Sequence, residues 1–326
     1  MNIAMCMLVI FIHIASWTLP DMDRASVKYV ALLLPWRLSA FVVQGFLFLS
    51  GVKLFSSKKS FDYLTFLKGR VIKVYLPYVA WVLIYYAYFI GIGWYKFSAA
   101  DLGFYTLLGT LCSHFYYIII AMQFYLLMPL FRWLTARVNG VLLCAGSVVI
   151  TALVKAFVHF TYDDRVFFTY LCYFVIGAVV GANYEKAKAF LKKYACIVFA
   201  LFAAFGALDG YFTYLSQVKG AYLRYFEVLH LFYCLSAIFS LYLVSLYLFE
   251  KREMPKILSL ADRSTFEIYL SHVLFIYITN DYLYRLGISD LFLKFLLRGV
   301  FTYAVTLALC MGYTFVKEKL HARIKG

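Results

Sequence analysis

Ten predominantly apolar stretches, each long enough to cross a bilayer, follow one another along this chain with only short polar connections between them. About 20 such residues are needed to cross roughly 30 Å of hydrocarbon. Spans of that kind lie near 1–18, 28–54, 71–94, 114–134, 138–159, 166–184, 194–215, 225–249, 259–280 and 295–316. A further short helix on the surface is expected between Lys96 and Ser113. The predicted fold is therefore an all-α integral membrane bundle of ten transmembrane helices, forming a single domain over residues 1–326 with no separate soluble domain. Composition agrees: 65% of residues are hydrophobic and 14% charged, against roughly 45–50% and 25% in soluble domains. A net charge of +15 would suggest nucleic acid in a soluble protein. Here the basic residues sit in short loops between apolar runs, a topology signal, and no nucleic-acid partner is expected.

That signal gives an orientation. Lys53 to Lys73, Arg132 with Arg137, Lys186 to Lys193, Lys251 to Arg263 and Lys317 to Lys325 supply 20 Lys and Arg in alternate connections, whereas the opposite set, from Arg24 to Lys294, holds 8 interspersed with acids. Both termini are expected in the cytoplasm. The first apolar run lacks a basic leader and a small-residue cleavage site, so Met1 to Trp17 reads as a retained helix. No inverted repeat or Gly/Pro-broken helix pair of the transporter kind stands out. The seven cysteines are scattered singly, without metal-ligand spacing, and read as buried thiols with no metal site.

Ionisable groups inside hydrocarbon cost several kcal/mol and mark function. Counting 1.5 Å per residue from the nearest loop, His13 lies about 18 Å above the inner face, Arg37 about 14 Å below the outer face and His272 about 14 Å above the inner face. All three fall near one layer. A neutral imidazole can take a proton from a hydroxyl and return it, so His13 is a candidate general base; its alternative role is a structural hydrogen bond. Arg37 would stabilise an oxyanion or hold His13 through an intermediate group, or else pair with an unidentified buried acid. At the inner mouth, Lys68, Arg70 and Lys73 precede Pro77, with Arg70 and Lys73 spaced to share a helical face. Fixed cations there suit phosphates, although topology alone would also place charge at that point. Towards the outside lie His114, Lys155, Glu227 and His230. Glu227 would orient an acceptor hydroxyl, assist His13, or pair with Arg224, and Glu267 would snorkel or pair with Arg263.

Several blocks, in order, resemble the membrane-bound acyltransferase 3 family: NIAMCMLVIFIH closing on His13, RLSAFVVQGFLFLSG from Arg37 to Gly51, FLKGRVIKVYLPY, HFYYIIIAMQFYLLMPLF, and RSTFEIYLSH. The resemblance spans nearly the whole chain. It implies transfer of an acyl group, commonly acetyl, from cytoplasmic acyl-CoA to a hydroxyl of a cell-surface or extracellular glycan, in the plasma membrane of a bacterium. It implies His13 as the catalytic histidine, Arg70 and Lys73 as the acyl-CoA cations with Lys68 beside them, and Arg37, Ser50 and Gly51 as supporting motif residues. His272 and His114 match its further histidine positions. Acyl-CoA is then a donor substrate and no cofactor is held permanently; the glycan acceptor, the lipid bilayer and glycan-synthesis machinery are the expected partners. The family's arginine eleven residues before the histidine is replaced here by Asn2. Either the true start differs from Met1 or another cation, such as Arg37, stands in. An exporter of a polysaccharide or lipid-linked sugar, with its histidines as proton relays, is the rival reading.

Overall fold

A computed structural model describes residues 1–57 and 60–325, excluding the side chains of Ile324 and Lys325. Lys58 and Lys59, counted above in the inner basic set, lie outside the described residues, as does the Lys325 side chain. Among the described residues the structure is all-helical. Seven helices are long and apolar enough to cross a membrane, rising to nine if two bent pairs are each taken as one span.

Both bends have local causes. Tyr116–Leu126 meets Met128–Arg137 at 57°, where Pro129 supplies no amide hydrogen to the preceding turn. Phe167–Ala182 meets Tyr184–Lys193 at 106°. The second member carries Lys186, Lys188, Lys192 and Lys193, and charge at that density cannot continue a hydrocarbon crossing. Thr265–Arg285 has the 21 residues a crossing needs but is interrupted by Glu267, Asn280, Asp281 and Arg285, which explains why it falls outside the apolar set. The short helix expected after Lys96 is present as Ala99–Leu108, capped by Ser98 and closed by Gly109 in the left-handed region.

The chain forms two compact units. The first comprises Met1–Val42, Ile197–Leu223 and Ser236–Gly326, and the second Val43–Cys196 with Arg224–Leu235. In the first, the N-terminal helix Asn2–Ser16 packs against Thr265–Arg285 and the long C-terminal helix Leu291–Lys325. Met5, Cys6, Ile10 and Ile14 on one side, and Ile268 and Ile276 on another, are fully buried. Polar contacts set the register. Ser264 Oγ donates to Thr314 Oγ1 at 2.9 Å, Ser271 Oγ lies 3.3 Å from Cys310 Sγ, and Arg298 Nη2 donates to Asn280 Oδ1 at 2.7 Å. These three rungs make the last two helices antiparallel neighbours along their length. The Val27–Ser39 helix is tied to the first helix by Trp36 Nε1, which donates to Ser16 Oγ at 2.9 Å.

In the second unit the tightest crossing is glycine-built. A Cβ at Gly177 or Gly181 would collide with the backbone at Phe48 or Val52, and one at Gly51 with the backbone of Phe174 to Ala178. Small residues four apart let helix backbones approach without a hydrophobic driving force. Gly51 thus works through packing. Gly140–Phe157, by contrast, has only 11% of its apolar window buried and presents Val149, Ile150 and Leu153 outward, as a lipid-facing helix does.

Candidate active site

The first unit brings His13 and His272 together. Their ring centroids are 5.1 Å apart at an interplanar angle of 52°. His272 is fully buried, and its Nδ1 faces the carbonyl oxygens of Tyr269 at 2.8 Å and Ile268 at 3.1 Å. Carbonyls only accept, so in the neutral ring Nδ1 carries the hydrogen and donates, leaving the lone pair on Nε2. Backbone of the preceding turn therefore sets the tautomer.

Arg37 has the buried acid that the sequence reading left unnamed. Its Nε lies 3.2 Å from Asp209 Oδ2, and its Nη2 donates to Oδ1 at 3.4 Å. Asp209 is wholly inaccessible to solvent. Two parallel bonds of this kind orient a guanidinium as well as neutralise it. Asp209 escaped the sequence reading although it is an acid in the middle of an apolar run, a signal that would have found it. Arg298 escaped likewise, although it is an arginine inside the last predicted span. Its Nη1 donates to Thr18 Oγ1 at 3.1 Å, and the guanidinium carbon sits 5.7 Å from the Trp17 ring centroid.

The C-terminal helix carries Arg298, Thr302 and Thr306 at four-residue spacing, all buried. Hydroxyls elsewhere in this unit return a bond to the carbonyl four residues back, as Ser16, Thr213, Ser264, Ser271 and Thr279 do. Those of Thr302 and Thr306 have no hydrogen-bond partner among the described residues. The rungs at Asn280 and Ser271 bracket them, so both lie along the stretch of helix that runs beside His272. The first helix crosses at the same height, since Arg298 reaches Thr18 and Tyr303 Oη donates to the Met7 carbonyl, with His13 between those two residues.

Asn2 stands at the position where the resemblance calls for an arginine. Its Nδ2 donates to Asp262 Oδ2 at 3.3 Å, while Asp262 Oδ1 accepts from the Ile3 amide at 3.0 Å. A carboxylate at a helix N-terminus satisfies one of its orphan amides. The side chain at position 2 therefore faces an acid.

Lys68, Arg70, Lys73, Ser50, Gly51, His114 and Glu227 belong to the second unit. Arg70 rests between two rings, its guanidinium carbon 5.0 Å from Phe66 and 5.2 Å from Tyr125. Ser50 sits beside the hydroxyls of Tyr117 and Tyr125, so the serine of one motif and the arginine of another meet on the same tyrosine. Lys68 and Lys73 are exposed. The shared face expected for Arg70 and Lys73 is not realised as a regular α-helix, because Val71–Tyr75 adopts a π turn. The wider turn changes the angular step between positions 70 and 73, and it falls where Pro77 denies an amide to the preceding turn. Asp62 caps the Tyr63–Arg70 helix by accepting from the Thr65 amide at 2.9 Å.

Glu227 reaches Lys155 at 3.7 Å, a different basic partner from the Arg224 weighed in the sequence. His114 is buried against Phe115 and Tyr85, with ring centroids 4.2 and 5.7 Å away. Glu267 meets Lys317 at 3.9 Å, and Arg263 instead bonds Glu318 through Nε at 2.7 Å. Cys196, expected as a buried thiol, is exposed.

A family model described as an acyltransferase domain matches residues 3–315, nearly the whole chain. The chain belongs to the acyltransferase 3 family. No curated protein and no solved structure matches it. As a member of this family, it is a membrane acyltransferase.

Proposed function

We propose that this acyltransferase moves an acyl group, commonly acetyl, from cytoplasmic acyl-CoA to a hydroxyl of an extracytoplasmic glycan. The observation that carries this reading is the contact between His13 and His272, a half-buried and a fully buried imidazole 5.1 Å apart. His13 takes the proton of the acceptor hydroxyl as its oxygen attacks the thioester carbonyl. The tetrahedral intermediate collapses, the carbon–sulfur bond breaks, and the imidazolium returns the proton to the departing thiolate. His272, held with Nδ1 donating to backbone, offers its Nε2 lone pair to orient the partner that faces it. Arg37, aligned by Asp209, supplies fixed positive charge to the same unit.

Lys68, Arg70 and Lys73 bind the phosphates of coenzyme A in this reading, with Arg70 preset between its rings. Glu227 and His114 serve the acceptor side. Ten crossings, with Thr265–Arg285 counted among them and both termini in the cytoplasm, put donor and acceptor on opposite faces of a bacterial plasma membrane. Replacing His13 by alanine is expected to lower glycan acylation about 10²–10⁴-fold, the usual worth of a positioned general base, with normal abundance in the membrane. Mass spectrometry of the glycan checks this, and undiminished acylation refutes it. Proton-coupled export without acyl-CoA turnover would favour the exporter instead.

A further inference from the structure

Two contiguous cavities open at the Thr18 end of the first unit, sharing Thr18 and Leu291. One, of about 170 Å³, is lined by Trp17, Asp21, Asn280, Lys294 and Arg298. The other, of about 570 Å³, has a mainly apolar wall that includes Met22, Leu32, Phe292 and Phe295. The smaller is well under the roughly 300–1,000 Å³ of a drug-sized pocket and suits a single compact polar group.

Arg298 dominates the smaller cavity. Only 3% of the residue is exposed, its side-chain partners Thr18 and Asn280 are both neutral, and its Nε has no hydrogen-bond partner among the described residues. A buried guanidinium without a carboxylate is costly unless an anion completes it. Asp23 accepts from the Ala25 amide and Asp290 caps the C-terminal helix through the Leu293 amide, whereas Asp21, exposed in the lining of the same small cavity, acts on Arg298 through its charge, with no ion pair between the two among the described residues. Lys294 adds a second cation to the same lining. From Arg298 the buried hydroxyls of Thr302 and Thr306 lead down the C-terminal helix over about 12 Å at 1.5 Å per residue, to the level of the histidine pair.

We propose that this double cavity binds an anionic amphiphile, a phosphate on Arg298 with its apolar chain in the larger cleft, and that the glycan acceptor is presented on such a phosphate-linked lipid. The second half of that statement rests on the acyl-transfer reading above; the binding site does not. The shared chemistry, a phosphate at the head of an apolar chain, belongs both to isoprenoid phosphates and to membrane phospholipids, and the proposal commits to the former.

The test uses the full-length protein in nanodiscs of phosphatidylcholine, titrated with farnesyl phosphate, farnesol, inorganic phosphate and short-chain phosphatidylglycerol. Farnesyl phosphate is expected to bind at least tenfold more tightly than each of the other three. R298Q should erase its advantage over farnesol and R298K should keep part of it. N280D guards against misfolding of the arginine variants, since it gives Arg298 an internal carboxylate, should preserve the thermal midpoint, and should still abolish binding of the phosphate. Equal binding of farnesyl phosphate and farnesol, a preference for phosphatidylglycerol, binding of inorganic phosphate as tight as that of farnesyl phosphate, or unchanged affinity in N280D each overturns the site. Loss of the site with intact His13-dependent acylation would remove the lipid-borne acceptor alone. Farnesyl phosphate binding without acylation by the wild-type protein would remove the acyl-transfer reading alone.

Discussion

Breaking the Arg37–Asp209 pair separates what holds the first unit together from what acts in it. Asp209 is fully buried, and the Arg37 side chain is 14% exposed. At 3.2 Å two unit charges attract by about 5 kcal/mol at an effective dielectric of about 20, and that gain is offset by desolvation of both groups. The pair as a whole is worth little, but removing one partner strands the other. Asp209→Ala is therefore expected to destabilise the protein by about 3–5 kcal/mol, some two to three and a half orders of magnitude in the unfolding equilibrium. A double variant, Arg37→Met with Asp209→Leu, fills the space with apolar atoms and should recover most of that loss. Unfolding monitored by tryptophan fluorescence in mild detergent with added denaturing surfactant measures all four corners of the cycle, and glycan acylation is read on the same samples. Stability restored without activity assigns Arg37 to the chemistry; restoration of both assigns it to structure. A loss below about 1 kcal/mol for Asp209→Ala, or a double variant as weak as the sum of the singles, refutes the reasoning.

Gly177→Ala should cost about 1–3 kcal/mol by forcing backbones apart at Phe48, whereas Gly146→Ala, with open space around it, should be neutral or slightly stabilising; equal effects in the same unfolding assay would contradict the crossing. Hydrogen bonds from Thr65, side chain first and amide second, hold the Asp62 carboxyl below its usual value. A depressed folded value means that its contribution is complete above the unfolded value of about 3.9 and is lost as pH falls through the lower folded one. Protection from hydrogen exchange over 63–70, taken relative to the intrinsic rate at each pH, should therefore fall at acid pH in the wild type and already at neutral pH in Asp62→Ala, and unchanged protection in the variant would remove the cap. Charge reversal at Arg70 should weaken coenzyme A binding about tenfold or more in calorimetry. Reversal at Lys73, which is exposed within the π turn, should do less, and equal losses would argue against a preset Arg70.

Sequence alone determined that this chain is a helical membrane protein, because hydrocarbon admits only segments that satisfy their own backbone, and the length and spacing of apolar runs report that directly. It also named His13 and His272 as members of one layer, since rise per residue converts position into depth. Depth says nothing about rotation or neighbours. The pairing of Arg37 with Asp209, of Glu227 with Lys155 and of Asn2 with Asp262 joins residues up to 260 positions apart, and helix packing alone decides those contacts. The π turn over Val71–Tyr75, just after Arg70, and the two bent pairs came from competition between proline, charge and the regular hydrogen-bond ladder. The stripe of Arg298, Thr302 and Thr306 was present in the spacing, but its hydroxyls became meaningful only once the neighbouring helices buried them without returning a hydrogen bond.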